Sequence, residues 1–141
     1  MSVLYTASAT SLGGRDGSVK TADGLIDVKV AMPKELGGQG GATNPEELFA
    51  AGYAACFHGA LKMVAGNEKI SLRDSKVVVQ VGIGPDATSF GLEVDIKASV
   101  PTVDAAKARE LIEKAHQVCP YSKATRGNIP VTVGLLETVT A

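Results

Sequence analysis

The sequence has no tryptophan, only three phenylalanines and three tyrosines, only two cysteines and almost no net charge. Each shortage excludes something. Lys and Arg number 14 against 15 Asp and Glu, a formal charge of -1 at pH 7, and the two signs are interspersed along the chain. No basic stripe is offered to a phosphate backbone, so a nucleic-acid partner is not expected. The longest apolar run, LFAAGYAACF at 48–57, lies between Glu46 and Glu47 on one side and His58 and Lys62 on the other. It is shorter than the about 20 residues a membrane span needs, so a membrane role is not expected either. The opening MSVLYTASAT has neither a charged leader nor an apolar h-region, which predicts no secretion signal and a cytoplasmic location. A length of 141 residues predicts one domain, 1–141, with one core.

What is present is a pair of thiols in distinctive settings. Cys56 sits deep in the apolar run and Cys119 in HQVCPYSKAT. Packing alone explains many such residues, because free cysteine behaves as a small buried hydrophobe. In a cytoplasmic protein, however, disulfides are usually transient, catalytic or sensory, which shifts a pair toward function. Packing buries both thiols; only thiol chemistry needs them close.

The spacing of apolar and turn residues predicts an α+β chain. Residues 3–30 alternate and contain the turn signals GGRDG, which carries Arg15, and ADG, so short antiparallel strands are expected. The stretch MPKELGGQGGATN reads as a flexible Gly-rich connection, without the Lys-Ser/Thr that closes a phosphate loop. A helix is expected from Asn44 as N-cap, with Pro45 at its first position and Glu47 in a capping box, running to about residue 65. Strands at 76–83 and 89–100 should form a hairpin. Helical periodicity from Ala105 onward puts Cys119 on the buried stripe of a second helix that Pro120 stops, and 130–139 suits a last strand. Sheets then cover apolar helices. A helix apolar all round must be wrapped by other elements, and in a chain this small a second copy would supply the missing wall.

Gly52, Tyr53, Gly59 and Ala60 lie one helical turn from Cys56, and each Gly inside a helix costs about 1 kcal/mol relative to Ala. Either close packing needs the space or a substrate does. A buried thiol resists ionisation, so a reactive Cys56 requires a cation; Lys62 and His58 do not share its helical face, Arg126 is a further candidate, and Arg15 on its Gly-flanked turn is the favoured one. Glu46, not needed by the capping box, would complement the helix dipole or hold an Arg guanidinium in a fork. Cys119, at a helix C-terminus, should resolve rather than attack. Spacing assigns Phe49, Tyr53 and Met63 to an apolar pocket. A rival reading is a Cys2His2 zinc site or a non-catalytic redox-sensing module made from Cys56, His58, His116 and Cys119.

The blocks LYTASAT with GGRDG, PKELGG, TNPEELFAAGYAACF and VCPYSKATRGNIPV resemble the organic hydroperoxide resistance proteins, the Ohr branch of the OsmC/Ohr family, over nearly the whole chain. Two positions depart from the family pattern, Glu47 in place of Gln and Lys123 in place of Asn. The resemblance implies an intertwined homodimer with antiparallel sheets wrapped around apolar core helices. It also implies a peroxidase in which Cys56 reduces organic hydroperoxides, Cys119 forms the resolving disulfide, and Arg15 and Glu46 assist. No bound cofactor or metal is implied; the reductant would be an external dithiol, dihydrolipoamide on lipoylated proteins. Glu46 and Cys56 are ten residues apart, about 15 Å on a continuous helix. The Arg15 and Glu46 serving a given Cys56 are therefore expected from the other subunit, with a kinked helix as the alternative.

Overall fold

Gly13 and Gly14 have φ angles of 86° and 65°, a left-handed conformation that costs glycine little. They reverse the chain between strands β1 (Ala9–Leu12) and β2 (Gly17–Thr21). Gly17 closes that turn so tightly that a Cβ there would lie 1.9 Å from the Leu12 carbonyl oxygen. A second turn leads to β3 (Asp27–Val30); in it the Thr21 hydroxyl donates to the Asp23 carboxylate at 2.7 Å, which also accepts the Leu25 N–H at 3.0 Å. The result is an antiparallel sheet of order β1-β2-β3, with Leu12 opposite Ser18 and Val19 opposite Val28.

This computed structural model describes residues 1–137, and the chain forms two compact units, Met1–Leu48 and Phe49–Ala141. The first holds the three-stranded sheet. Its Gly-rich segment is a hydrogen-bonded loop rather than the flexible connection expected. A single 3-10 turn at Lys34–Leu36 is closed by Gly37 at φ 88°, and Gly38 and Gly40 donate to the carbonyls of Pro33 and Met32, both at 3.0 Å. The glycines serve close backbone approach: a Cβ on Gly38 would lie 2.1 Å from the Met32 oxygen. Among the described residues of this unit Val30 is the buried hydrophobic side chain, while Leu4, Tyr5, Leu12 and Leu25 are exposed.

Helix α1 (Pro45–Asn67) starts as the sequence predicts. Asn44 Oδ1 accepts the Glu47 N–H at 2.8 Å. Glu47, however, does not complete the reciprocal box; its carboxylate accepts the Thr43 hydroxyl at 2.8 Å. The helix extends past the apolar run at both ends, so at 23 residues and mean hydropathy 1.3 it is long and apolar enough, by length and composition, to cross a membrane. Its residues Tyr53, Phe57, Leu61 and Ala65 are nevertheless fully buried in the protein core.

That core belongs to the second unit. Strands β4 (Lys76–Pro85) and β5 (Phe90–Ser99) pair antiparallel from Lys76 with Ser99 to Pro85 with Phe90. The Asp86 carboxylate holds their turn by accepting the N–H groups of Thr88 and Ser89 at 2.9 and 2.7 Å. Helices α2 (Ala105–Val118) and α3 (Pro120–Thr125) then return the chain to β6 (Val131–Leu135), which pairs parallel to β5. The second sheet is therefore mixed, because a crossover of two helices delivers the last strand in the same direction as its neighbour. The strand is shorter than the expected 130–139, since 136–137 are described and lie outside it, while 138–139 fall outside the described residues. Alternation along β5 turns Val94, Ile96 and Ala98 inward, where they meet the α1 residues and Leu111, Ile112 and Ala115 of α2.

Candidate active site

Cys56 lies on α1, half-buried, and Cys119 is fully buried. Their sulfur atoms are 3.5 Å apart, with no disulfide between them. Cys119 is not on the helix stripe that the periodicity suggests. It is the residue between two helices, with φ -65° and ψ 123°, at once the C-cap of α2 and the N-cap of α3. Pro120 does stop α2, but it also starts α3 as its first residue. Proline's fixed φ and missing N–H suit that position as well as they suit a stop. The corner turns Cys119 toward α1, and its thiol sits at the end of one helix dipole and the beginning of another.

Burial pushes the Cys56 thiol above its ordinary pKa; the backbone N–H of Tyr121 works in the opposite direction, and the hydrogen bond and charge of Cys119 push it up further. The Cys119 thiol donates to the Cys56 sulfur at 3.5 Å, from the same corner as the Tyr121 N–H.

Around this pair the structure assembles residues that the sequence reading passed over. Tyr121 packs its ring against Gly52, where an added Cβ would lie 3.0 Å from the tyrosine hydroxyl and 3.3 Å from Cε2. The space at Gly52 is therefore filled by close packing. At Gly59 a Cβ would meet nothing within 4 Å. Phe49, Tyr53 and Tyr121 form an aromatic cluster with centroid separations of 5.6 to 6.2 Å. Met63, assigned by spacing to the same pocket, stands outside that cluster and is half exposed. The Tyr53 hydroxyl is buried and lies 2.8 Å from Ser122 Oγ and 3.1 Å from Thr125 Oγ1. The sequence does not reveal these hydroxyls, because SKAT follows a proline that reads equally as the end of a helix.

The zinc set does not assemble. His58 Nε2 is 2.8 Å from Ser75 Oγ and His116 Nδ1 is 2.8 Å from Ser122 Oγ. Among the described residues no group of three or more His, Cys, Asp or Glu is arranged to hold a metal ion. Burial holds His116 below its ordinary pKa, with Glu113 acting against that and Arg126 with it. Arg126, one of the cations considered for Cys56, donates instead to the His116 carbonyl at 3.1 Å.

In the first unit Arg15 and Glu46 meet as a two-point fork, Nη1 to Oε2 at 3.0 Å and Nη2 to Oε1 at 2.8 Å. Such a pair fixes the guanidinium plane. The Arg15 hydrogen bond holds the Glu46 carboxyl below its ordinary pKa against the effect of burial, and Arg15 is held above its own.

Residues 38–134 match the family model of OsmC-like proteins. The chain is 53% identical over 135 residues to the organic hydroperoxide resistance protein of Xanthomonas axonopodis pv. citri, covering 94% of this chain and 95% of that one. The chain belongs to the OsmC/Ohr family. Another Ohr relative, organic hydroperoxide resistance protein OhrB of Bacillus subtilis, is 47% identical over 135 residues, covering 94% of this chain and 98% of its own. The Ohr fold is shared as well: the crystal structure of an organic hydroperoxide resistance protein from Legionella pneumophila superimposes with a TM-score of 0.92 at 47% identity, over 96% of this chain and all of that one.

Proposed function

We propose that this Ohr-family chain is a cytoplasmic thiol peroxidase that reduces organic hydroperoxides to alcohols. The observation that carries the reading is the 3.5 Å approach of a half-exposed Cys56 to a fully buried Cys119. A disulfide has an S–S length of about 2.05 Å, so the sulfurs need to close by only roughly 1.5 Å. The Cys56 thiolate attacks the distal oxygen of the hydroperoxide, the O–O bond breaks and the alcohol leaves with a proton, giving a sulfenic acid. Cys119 then attacks that sulfur and expels water. One hydroperoxide and two thiols yield one alcohol, one water and one disulfide. An external dithiol, dihydrolipoamide on a lipoylated protein by family resemblance, reduces the disulfide by exchange.

The half-buried Cys56 thiol attacks because substrate can reach it, and the buried Cys119, 3.5 Å away, meets the sulfenic acid before an external thiol does. Phe49, Tyr53 and Tyr121 offer ring surface to an alkyl or fatty-acyl chain, and Met63 would join them where a second copy covers α1. Hydrogen peroxide gains nothing from such contact. Since burial alone disfavours the thiolate, the reaction needs a cation. Arg15, oriented by Glu46, supplies it in a homodimer, where the pair serves the Cys56 of the second copy.

The test is to treat reduced, metal-free protein with one equivalent of cumene hydroperoxide and measure intact mass. The reading expects a loss of two hydrogens per chain and catalytic turnover when dihydrolipoamide is present, faster with organic hydroperoxides than with hydrogen peroxide. Thiols left free after treatment would exclude it.

A further inference from the structure

His116 and Ser122 stand three residues to either side of Cys119, and their side chains meet across the corner at 2.8 Å. Ser122 Oγ is also 2.8 Å from the Tyr53 hydroxyl, and Tyr53 stands three residues before Cys56 on α1. The two elements that carry the thiols are thus tied a second time, by Tyr53 and Ser122, with the same offset on each side. Ser122 is fully buried, so a hydrogen bond lost there is not replaced by water.

Each hydroxyl has one proton to give, so with the Thr125 bond to the Ser122 carbonyl made, the order of the remaining bonds follows. Thr125 donates its proton to the Ser122 carbonyl at 3.2 Å. Its contact with Tyr53 at 3.1 Å must then be a bond donated by Tyr53. The Tyr53 proton being spent, the Tyr53 to Ser122 contact is donated by Ser122. Ser122 then has nothing left to donate, so the bond to His116 is Nδ1–H to Oγ. In that order the half-buried ring, when neutral, carries its proton on Nδ1.

We propose that His116 is a positioning residue for thiol pairing: its Nδ1–H bond to Ser122 holds the α2–α3 corner shut and thereby keeps the Cys119 sulfur against Cys56. This deepens the peroxidase reading and rests on it, since it concerns how readily Cys56 and Cys119 join. Once the disulfide exists, it holds the corner by itself. In the dithiol form the clamp does that work, and without it the Cys119 thiol spends time away from Cys56. The effective concentration of one thiol at the other falls accordingly.

The test equilibrates the full chain with mixtures of reduced and oxidised dithiothreitol, without peroxide. In the exchange the two protein thiols lose two electrons and two protons to the oxidised reagent, and the protein disulfide forms as the reagent's opens. The disulfide fraction is read by alkylation and intact mass. His116→Leu should lower the equilibrium constant for protein disulfide by about fivefold, the scale of one lost hydrogen bond. His116→Asn, which keeps a donor near the Nδ1 position, should restore most of it, and His116→Asp, an acceptor when ionised, should not. Nitrogen-15 NMR of the unsubstituted protein should find the neutral His116 proton on Nδ1. An unchanged constant in a folded His116→Leu, equal loss in Asn and Asp, or a proton on Nε2 would overturn the clamp while leaving the peroxidase reading intact. Failure of the unsubstituted chain to form any Cys56–Cys119 disulfide would overturn both.

Discussion

The Tyr53 hydroxyl lies 2.8 Å from that of Ser122, so the two structural elements joined by the thiol pair are also joined by a buried pair of hydroxyls. Tyr53→Phe keeps the ring and removes the oxygen. It leaves Ser122 and Thr125 each short of one buried partner, and a loss of about 1 to 3 kcal/mol in stability is expected. Chemical denaturation should show a lower midpoint with an unchanged slope.

The glycines of α1 are not equivalent. Gly52→Ala would put a Cβ 3.0 Å from the Tyr121 hydroxyl. Either the ring shifts or α1 moves away from the corner that carries Cys119 and Tyr121. Reactivity of Cys56 toward iodoacetamide should change in Gly52→Ala. In Gly59→Ala, where a Cβ meets nothing within 4 Å, an isolated chain should gain up to about 1 kcal/mol of helix propensity. A loss of stability at Gly59 instead would indicate that a second copy packs there.

Much of this was legible in the sequence, for reasons that can be named. The Asn44-Pro45 start of α1, the turn signals at Gly13 and Asp23 and the hairpin at Asp86 are set by local chemistry, and local chemistry is what a sequence displays. The fork of Arg15 and Glu46 was suggested by one acid left over at the helix start. The place of Cys119 is not legible, because a proline after a helix has two meanings and only the packing of Ser122 and Thr125 against Tyr53 decides between them. The order of the Gly-rich loop is not legible in the sequence, because it comes from backbone bonds to Pro33 and Met32, which no side chain announces. Parallel pairing of β6 depends on the path of α2 and α3 and is invisible in the strand itself.

The pH dependence of Cys56 follows from its surroundings. Burial pushes its pKa up, so the thiolate fraction rises as pH rises through that pKa, and alkylation should accelerate over the same interval. A guanidinium favours the charged form. Arg15→Ala should therefore move the midpoint of alkylation against pH upward, and Glu46→Gln should move it in the same direction by less. An unmoved midpoint in both would remove Arg15 from the mechanism.

Service in trans predicts complementation. In a heterodimer of Cys56→Ser and Arg15→Ala chains, one site would carry both defects and the other neither. Near half of the unsubstituted activity should return, whereas action within one chain leaves both sites defective and the heterodimer as inactive as its parents.

The central claim is that Cys56 attacks and Cys119 resolves. It is tested most directly by mixing reduced Cys119→Ser with excess cumene hydroperoxide and following peroxide consumed per chain together with intact mass. The account predicts rapid loss of one equivalent, a sulfenic acid on Cys56, then a stall or slow further oxidation to sulfinic acid, while Cys56→Ser consumes none. Sustained peroxide reduction by Cys56→Ser would contradict it.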